Sequence, residues 1–215
     1  FRDSKEGNTP SRMHVALVEQ GVSTFRMDVF AHGASDGNFE DLTLSKAVDG
    51  VMSAINMMKE MGFKQIGLLG TSFGGMLCLI AASKSSDVDY LVLKSPVIDY
   101  VAVESERRDV EKWKREGVIE SVTRSGKSYR MGYEFFEDAG KYTGYYLVDK
   151  IKVPVLLVQG DLDTIVPVSQ SKKLAPLLKD CQLEVLEGCD HWFNGHYFDM
   201  FENFAVSFVL KHKKA

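Results

Sequence analysis

Residues 66–75, Ile-Gly-Leu-Leu-Gly-Thr-Ser-Phe-Gly-Gly, constrain the fold of this chain more than any other stretch. An apolar run is broken there by small residues and then resumes as Met76-Leu77-Cys78-Leu79-Ile80-Ala81-Ala82. The pattern predicts a strand, a sharp turn and a helix. Gly70-x-Ser72-x-Gly74 has the spacing of a nucleophile elbow, in which a serine on a strained turn needs small residues two before and two after it to avoid collision. The Ser72 hydroxyl is then expected above the end of a sheet. The helix that follows is apolar on nearly every face, so it is expected to be buried and central, with its positive end directed at Ser72. A serine in a glycine turn is by itself only a turn. Its chemistry depends on whether a base and an acid follow.

Two later stretches supply them. Val153 to Gly160 reads as a buried strand running into Asp161-Leu162-Asp163, and Leu183 to Glu187 as another running into Gly188-Cys189-Asp190-His191. Ser72, Asp163 and His191 each fall at the C-terminal end of a predicted parallel strand. Their chain order is the α/β-hydrolase order and differs from the two other known serine-triad orders.

Together with Arg26-Met27-Asp28 and His32-Gly33-Ala34-Ser35-Asp36-Gly37, these motifs cover the whole chain except residues 99 to 150. On them the chain resembles an α/β-hydrolase and is most similar to the small bacterial esterases of the cinnamoyl or feruloyl type. The resemblance implies a mostly parallel sheet flanked by helices, with residues 1–98 and 151–215 as the hydrolase core and 99–150 as a cap inserted over the C-terminal edge, where open α/β sheets bind ligands. It also implies Asp163 as the acid, since the third residue after Gly160 is where the family loop turns its carboxylate under the histidine; Asp161 then structures the loop. His191 is favoured over its neighbour His196 by the family spacing, and His32 is read as structural. One oxyanion donor is the backbone N–H of Phe73. The other, by spacing to the Arg26-Met27-Asp28 strand, matches Phe1, although the His-Gly pair that precedes it in related esterases is absent here. In the family a further strand lies between those read here as Val22 to Phe30 and Gln65 to Gly70. The chain is therefore expected to be the later part of a larger hydrolase domain, N-terminal strands missing, with a gap of about 10 Å between those two segments.

At 215 residues with 45% hydrophobic side chains, one sizeable core is expected. A net charge of −4 with mixed signs gives no basic stripe for nucleic acid and no polybasic membrane anchor. The three cysteines, Cys78, Cys181 and Cys189, have no CxxC or zinc spacing, which reads as reduced thiols in a cytoplasmic setting with no metal and no cofactor. No transmembrane run or signal peptide is read, although a start at Phe1 leaves an upstream signal open. The sequence does not set the oligomeric state. A first helix is expected from Thr9 as N-cap and Pro10 to Gly21, then a strand from Val22 to Phe30. A second helix capped by Thr43 or Ser45 follows, carrying Val48, Val51, Met52, Ile55 and Met58 on one face up to Gly62. The last helix, from about Gly195 to Lys211, sets Phe198, Phe201, Phe204, Ala205 and Phe208 on one face.

Residues 99 to 150 read as a charged helix, Ser105 to Glu116, and a hairpin around Ser125-Gly126, and they are rich in rings. Tyr129, Tyr133, Phe135, Phe136, Tyr145 and Tyr146 are the candidates for an apolar wall over Ser72, about half of the rings being expected to form the cap's own core. The helix carrying Trp113 reads as outer and solvated. The leading functional expectation is hydrolysis of small or aromatic acyl esters through an acyl-enzyme, with a small-molecule substrate as the partner. A thioesterase or acyl-peptide peptidase would use the same three residues; a non-catalytic ligand-binding scaffold is the alternative from another class.

Overall fold

The computed structural model describes residues 4–122, 126 and 128–214. In chain order the elements are α1 (Asn8–Glu19), α2 (Leu44–Glu60), β1 (Gly67–Thr71), α3 (Phe73–Lys84), β2 (Tyr90–Lys94), α4 (Tyr100–Arg107), α5 (Val110–Glu116), β3 (Val118–Val122), β4 (Ser128–Gly132), α6 (Tyr133–Ala139), α7 (Gly144–Leu147), β5 (Val155–Gly160), α8 (Val168–Leu174), β6 (Cys181–Leu186) and α9 (His196–His212). Four strands form a parallel sheet in the order β1-β2-β5-β6, while β3 and β4 pair as a separate antiparallel hairpin. Among the described residues this sheet is parallel throughout, with helices packed on both of its faces.

Every residue of β2 and β5 is buried, which is why these strands read as continuous apolar runs rather than alternating ones. Alternation survives in where the side chains go. Leu91, Leu93, Val155 and Leu157 join the core shared with α2, α3 and the 99–150 segment, whereas Tyr90, Val92, Leu156 and Val158 face α1 and α9. The last of these helices packs by Phe198, Phe201, Ala205 and Phe208, all buried. Helix α3 runs through the larger core with nine buried residues among its twelve.

Three local expectations need correcting. Helix α1 begins two residues before the expected start, with Gly7 as N-cap; Pro10 is tolerated because its missing N–H falls among the unsatisfied donors of the first turn. The segment 22–29 carries no regular secondary structure and no strand pairing among the described residues, and Phe25 is 54% exposed. It is tethered instead by side chains: Arg26 Nη1 donates to the Lys5 carbonyl (2.7 Å) and Ser11 Oγ (3.0 Å), and Asp28 accepts from the N–H groups of Lys5 (2.6 Å) and Ala34 (3.0 Å). Between it and β1 lies a cleft of about 760 Å³, lined by Met13, Leu17, Met27, Ile55 and Leu69 among others. Among the described residues β1 is therefore an open edge of the sheet.

The third correction concerns the segment between β2 and β5. The charged helix is two helices, because Arg108 is extended and Asp109 Oδ1 caps α5 by accepting from the Lys112 N–H at 2.9 Å. Trp113 is not outer and solvated. It is fully buried and its indole N–H donates to the Met131 carbonyl at 3.1 Å, so α5 packs its one aromatic face on the hairpin. Ser125, expected at the hairpin turn, lies outside the described residues; Gly126 has φ +82°, a turn conformation that glycine adopts without strain. The segment is pinned to the loop that follows β2 by Gly144, whose N–H donates to the Ile98 carbonyl at 2.8 Å. It is pinned to α2 by Asp138, which accepts from the Ser45 N–H (2.7 Å) and hydroxyl (2.8 Å).

Candidate active site

Ser72 links β1 to α3 with φ +52° and ψ −112°, a conformation that disfavours any residue with a β-carbon. The strain is held by the surrounding backbone. The Ser72 N–H donates to the Lys94 carbonyl at 2.9 Å, and the Ser72 carbonyl accepts from Gly75 (3.0 Å) and Val97 (3.1 Å). A β-carbon at Gly70 would lie 2.3 Å from the Gly74 carbonyl oxygen, and one at Gly75 would lie 2.5 Å from Pro96 Cβ. At Gly74 a β-carbon would meet no described atom within 4 Å. The small residues that the turn needs are therefore Gly70 and Gly75, and the expectation for Gly74 is corrected.

Asp163 and His191 come from the ends of β5 and β6. His191 Nδ1 lies 2.7 Å from Asp163 Oδ2, and both side chains are buried. Asp163 also accepts from the N–H groups of Ile165 and Val166 (2.8 Å each) and from Gln159 Nε2 (2.7 Å). Burial opposes its ionisation, but the His191 ring and the two backbone N–H groups outweigh that and hold the carboxyl below its ordinary value. An ionised carboxylate can only accept, so the imidazole carries its proton on Nδ1 and leaves Nε2 as an acceptor. Close approach of the two loops depends on Gly160, where a β-carbon would lie 2.2 Å from the Cys189 carbonyl oxygen.

Asp161 accepts from the Gly188 N–H at 2.7 Å, and Asp190 from Trp192 (2.9 Å) and Phe193 (3.3 Å). Both shape the loops and neither meets the His191 ring. His196 is exposed and its ring lies tilted against that of Tyr197, with centroids 4.0 Å apart. Gln159 was missed by sequence reasoning. Its amide bridges Asp163, the Val166 carbonyl (3.0 Å) and the Ser171 hydroxyl (2.9 Å). Its signal was there to read: it is the one polar side chain in the otherwise apolar strand Val155–Gly160.

The cap residues divide. Phe135 is fully buried with its ring centroid 6.3 Å from that of Phe73, the residue after Ser72, and 5.3 Å from Tyr100. Tyr129 meets Phe39 edge-on at 5.0 Å, and Phe39 in turn meets His32, whose ring lies parallel to Phe73 at 5.4 Å. His32 is buried and bonded through Nδ1 to the Phe30 carbonyl at 2.9 Å. Tyr133 and Phe136 pack on Trp113 at 5.9 and 5.6 Å and on each other, so they belong to the segment's own core rather than to a wall over Ser72. Tyr145 sits by α8, under Lys173 Nζ at 4.1 Å. Tyr146 is 84% exposed and walls nothing. Phe1 lies outside the described residues. Among the described residues no group of three or more His, Cys, Asp and Glu side chains is arranged to hold a metal, and no helix is long and apolar enough to cross a membrane.

Comparison with known proteins gives this arrangement a family, since the prolyl oligopeptidase family profile matches residues 42–212. The chain belongs to that family. Its fold is that of the α/β-hydrolases: a ferulic acid-bound Est1E from Butyrivibrio proteoclasticus superposes with a TM-score of 0.83 at 26% identity, covering 99% of this chain and 86% of that one. Among curated relatives, human serine hydrolase BPHL is 26% identical over 73% of this chain, and bovine mitochondrial palmitoyl-protein thioesterase ABHD10 is 28% identical over 80% of it. The chain spans 58% of the length of each of these two relatives.

Proposed function

We propose that this chain is a serine hydrolase that cleaves carboxylic esters through an acyl-enzyme, with Ser72 as nucleophile, His191 as general base and Asp163 as the group that orients the imidazole and stabilises its cation. The reading rests on one observation above others: an imidazole locked by a 2.7 Å bond to a buried carboxylate, in the loop that follows the strand beside the one ending in that carboxylate. An unactivated hydroxyl is a poor nucleophile, so His191 Nε2 takes the Ser72 proton as Oγ attacks the ester carbonyl. The same proton passes to the leaving alcohol. Water then repeats the sequence on the acyl-enzyme, again with Nε2 as base. The Phe73 N–H, at the positive end of α3, supplies an oxyanion donor of the kind worth about 3 kcal/mol; Phe1 is the sequence-based candidate for the second.

Small or aromatic acyl groups are the proposed substrates; what supports them is that Phe73, next to the nucleophile, stands in a cluster of rings with Tyr100 and Phe135, so the ground behind the elbow is apolar. Thioester hydrolysis is the second reading, favoured by the likeness to a palmitoyl-protein thioesterase. It uses the same three residues with a different leaving group. Labelling with a fluorophosphonate, mapped by mass spectrometry, should modify Ser72 and no other serine. A panel of chromogenic esters, thioesters and aminoacyl anilides ranks the substrate classes, and an intact protein that neither labels nor turns over any of them would sink the reading.

A further inference from the structure

Lys94, the last residue of β2, is an unusual occupant of the sheet interior. It ends a strand of five buried residues and is itself only 2% exposed. Burying an ammonium is costly unless it is bound on several sides. Its Nζ donates to the His191 main-chain carbonyl at 3.1 Å and lies 4.1 Å above the centre of the Phe193 ring. Phe193 holds φ +55°, so the cation meets the loop at a position of backbone strain. The main chain of the same residue reaches the other side of the site, where the Lys94 carbonyl accepts the Ser72 N–H at 2.9 Å. Ser95, next in the chain, anchors the opposite flank by donating its N–H to Val158 of β5 at 2.9 Å.

One residue thus touches the backbone of both the serine and the histidine, and it does so from the strand that lies between β1 and β5. The histidine loop has other internal ties, in Asp190 and in the close contact at Gly160, but those bind it to itself and to β5 rather than to the serine. Building on the catalytic roles proposed for Ser72 and His191, we propose that Lys94 is a positioning residue that sets the distance and angle between nucleophile and base. Its carbonyl fixes the elbow and its ammonium fixes the loop carrying the imidazole. Lysine suits the position because its stem is apolar enough to lie in the core while its head still reaches a carbonyl.

The test is a pair of substitutions, Lys94→Met and Lys94→Arg, measured on the full chain. Methionine keeps the apolar stem and removes the cation together with its bond to His191. A displacement of about 1 Å between reacting groups costs on the order of 10²-fold in rate. The Met variant is expected to fold while kcat falls between tenfold and 10²-fold at unchanged KM, and the rate of phosphonate labelling at Ser72 should fall in the same ratio. Arginine, which retains a cationic donor, should restore at least half of the loss on a logarithmic scale. Wild-type kcat in the Met variant overturns the proposal. So does a Met variant that cannot fold, since the lysine would then serve the fold rather than the geometry of the two groups, and so does a folded Arg variant as slow as the Met one. Failure of wild-type Ser72 to label at all would instead indict the triad on which the proposal stands.

Discussion

Replacing Asp163 with asparagine tests the tautomer argument more sharply than removing the side chain. The amide keeps the shape of the carboxylate, and its oxygen can still accept from Ile165 and Val166, now at 2.8 Å from Oδ1. Its NH₂ group then occupies the place of Oδ2, which faces two donors at 2.7 Å, the His191 ring and Gln159 Nε2. Gln159 cannot simply turn over, because its amide is also committed to Val166 and Ser171. His191 can respond only by accepting at Nδ1 and moving its proton to Nε2, where the base must be empty. The same substitution in a well-studied serine protease lowers kcat by about 10⁴-fold, and about 10⁴-fold, or ~5.5 kcal/mol of barrier, is expected here. The opposed donors cost about 2 kcal/mol of folding stability, which for a chain of this length is a fall of roughly 4–8 °C in Tm. Because the Asp163 carboxyl is held below its ordinary value in the fold, its contribution is complete above the unfolded value, near 3.9, and is lost as pH falls through the folded one. The stability gap between wild type and Asp163→Asn should accordingly be full at neutral pH and narrow in acid. Steady-state kinetics on the best ester and calorimetry from pH 7 to pH 3 measure both. A variant retaining a tenth of wild-type kcat would refute the tautomer reasoning, and a gap that widened in acid would refute the account of the carboxyl.

Ser72→Ala and His191→Ala should each lower kcat by about 10⁶-fold with little further loss when combined, because the two act as a unit; additive losses in the double variant would contradict that. Gly70→Ala should cost activity by pushing the elbow off the Gly74 carbonyl, whereas Gly74→Ala, with open space before it among the described residues, should leave the turnover within a fewfold of wild type. Phe135→Ala should destabilise by about 3–5 kcal/mol and shift the ranking of acyl groups, since its ring is buried beside Phe73, while Tyr146→Ala should do neither. In hydrogen exchange by mass spectrometry, β1 should lose protection well before β2 and β5, as its outer edge has no partner among the described residues; equal protection across the three strands would mean that the edge is covered.

The parts of this protein that were legible in its sequence are those whose cause is local. A strained turn needs glycine at Gly70 whatever surrounds it, α3 announces its burial by being apolar on every side, and Thr43 caps α2 by a bond to Lys46 three residues on. The positions of Ser72, Asp163 and His191 at strand ends follow from the same short-range alternation of strand, loop and helix. Segment 22–29 had a strand's composition, and the family resemblance already placed a gap between it and β1, where the structure has a cleft; that the segment itself pairs with nothing among the described residues is a property of two strands that only the tertiary structure could show. Trp113 sits among charged residues that argued for a solvated helix; a single ring decided the helix's inner face because the hairpin stood opposite to receive it. The cap rings were alike in sequence and differ in place, since what a ring touches depends on how the segment lies over α3. Lys94 and Gln159 are the clearest cases. A buried polar side chain is explained only by its partners: that of Lys94 lies 97 residues away at His191, brought within reach by the packing of β2, β5 and β6 side by side, and those of Gln159 lie at Asp163 and Ser171, four and twelve residues on, brought round by the turn after β5.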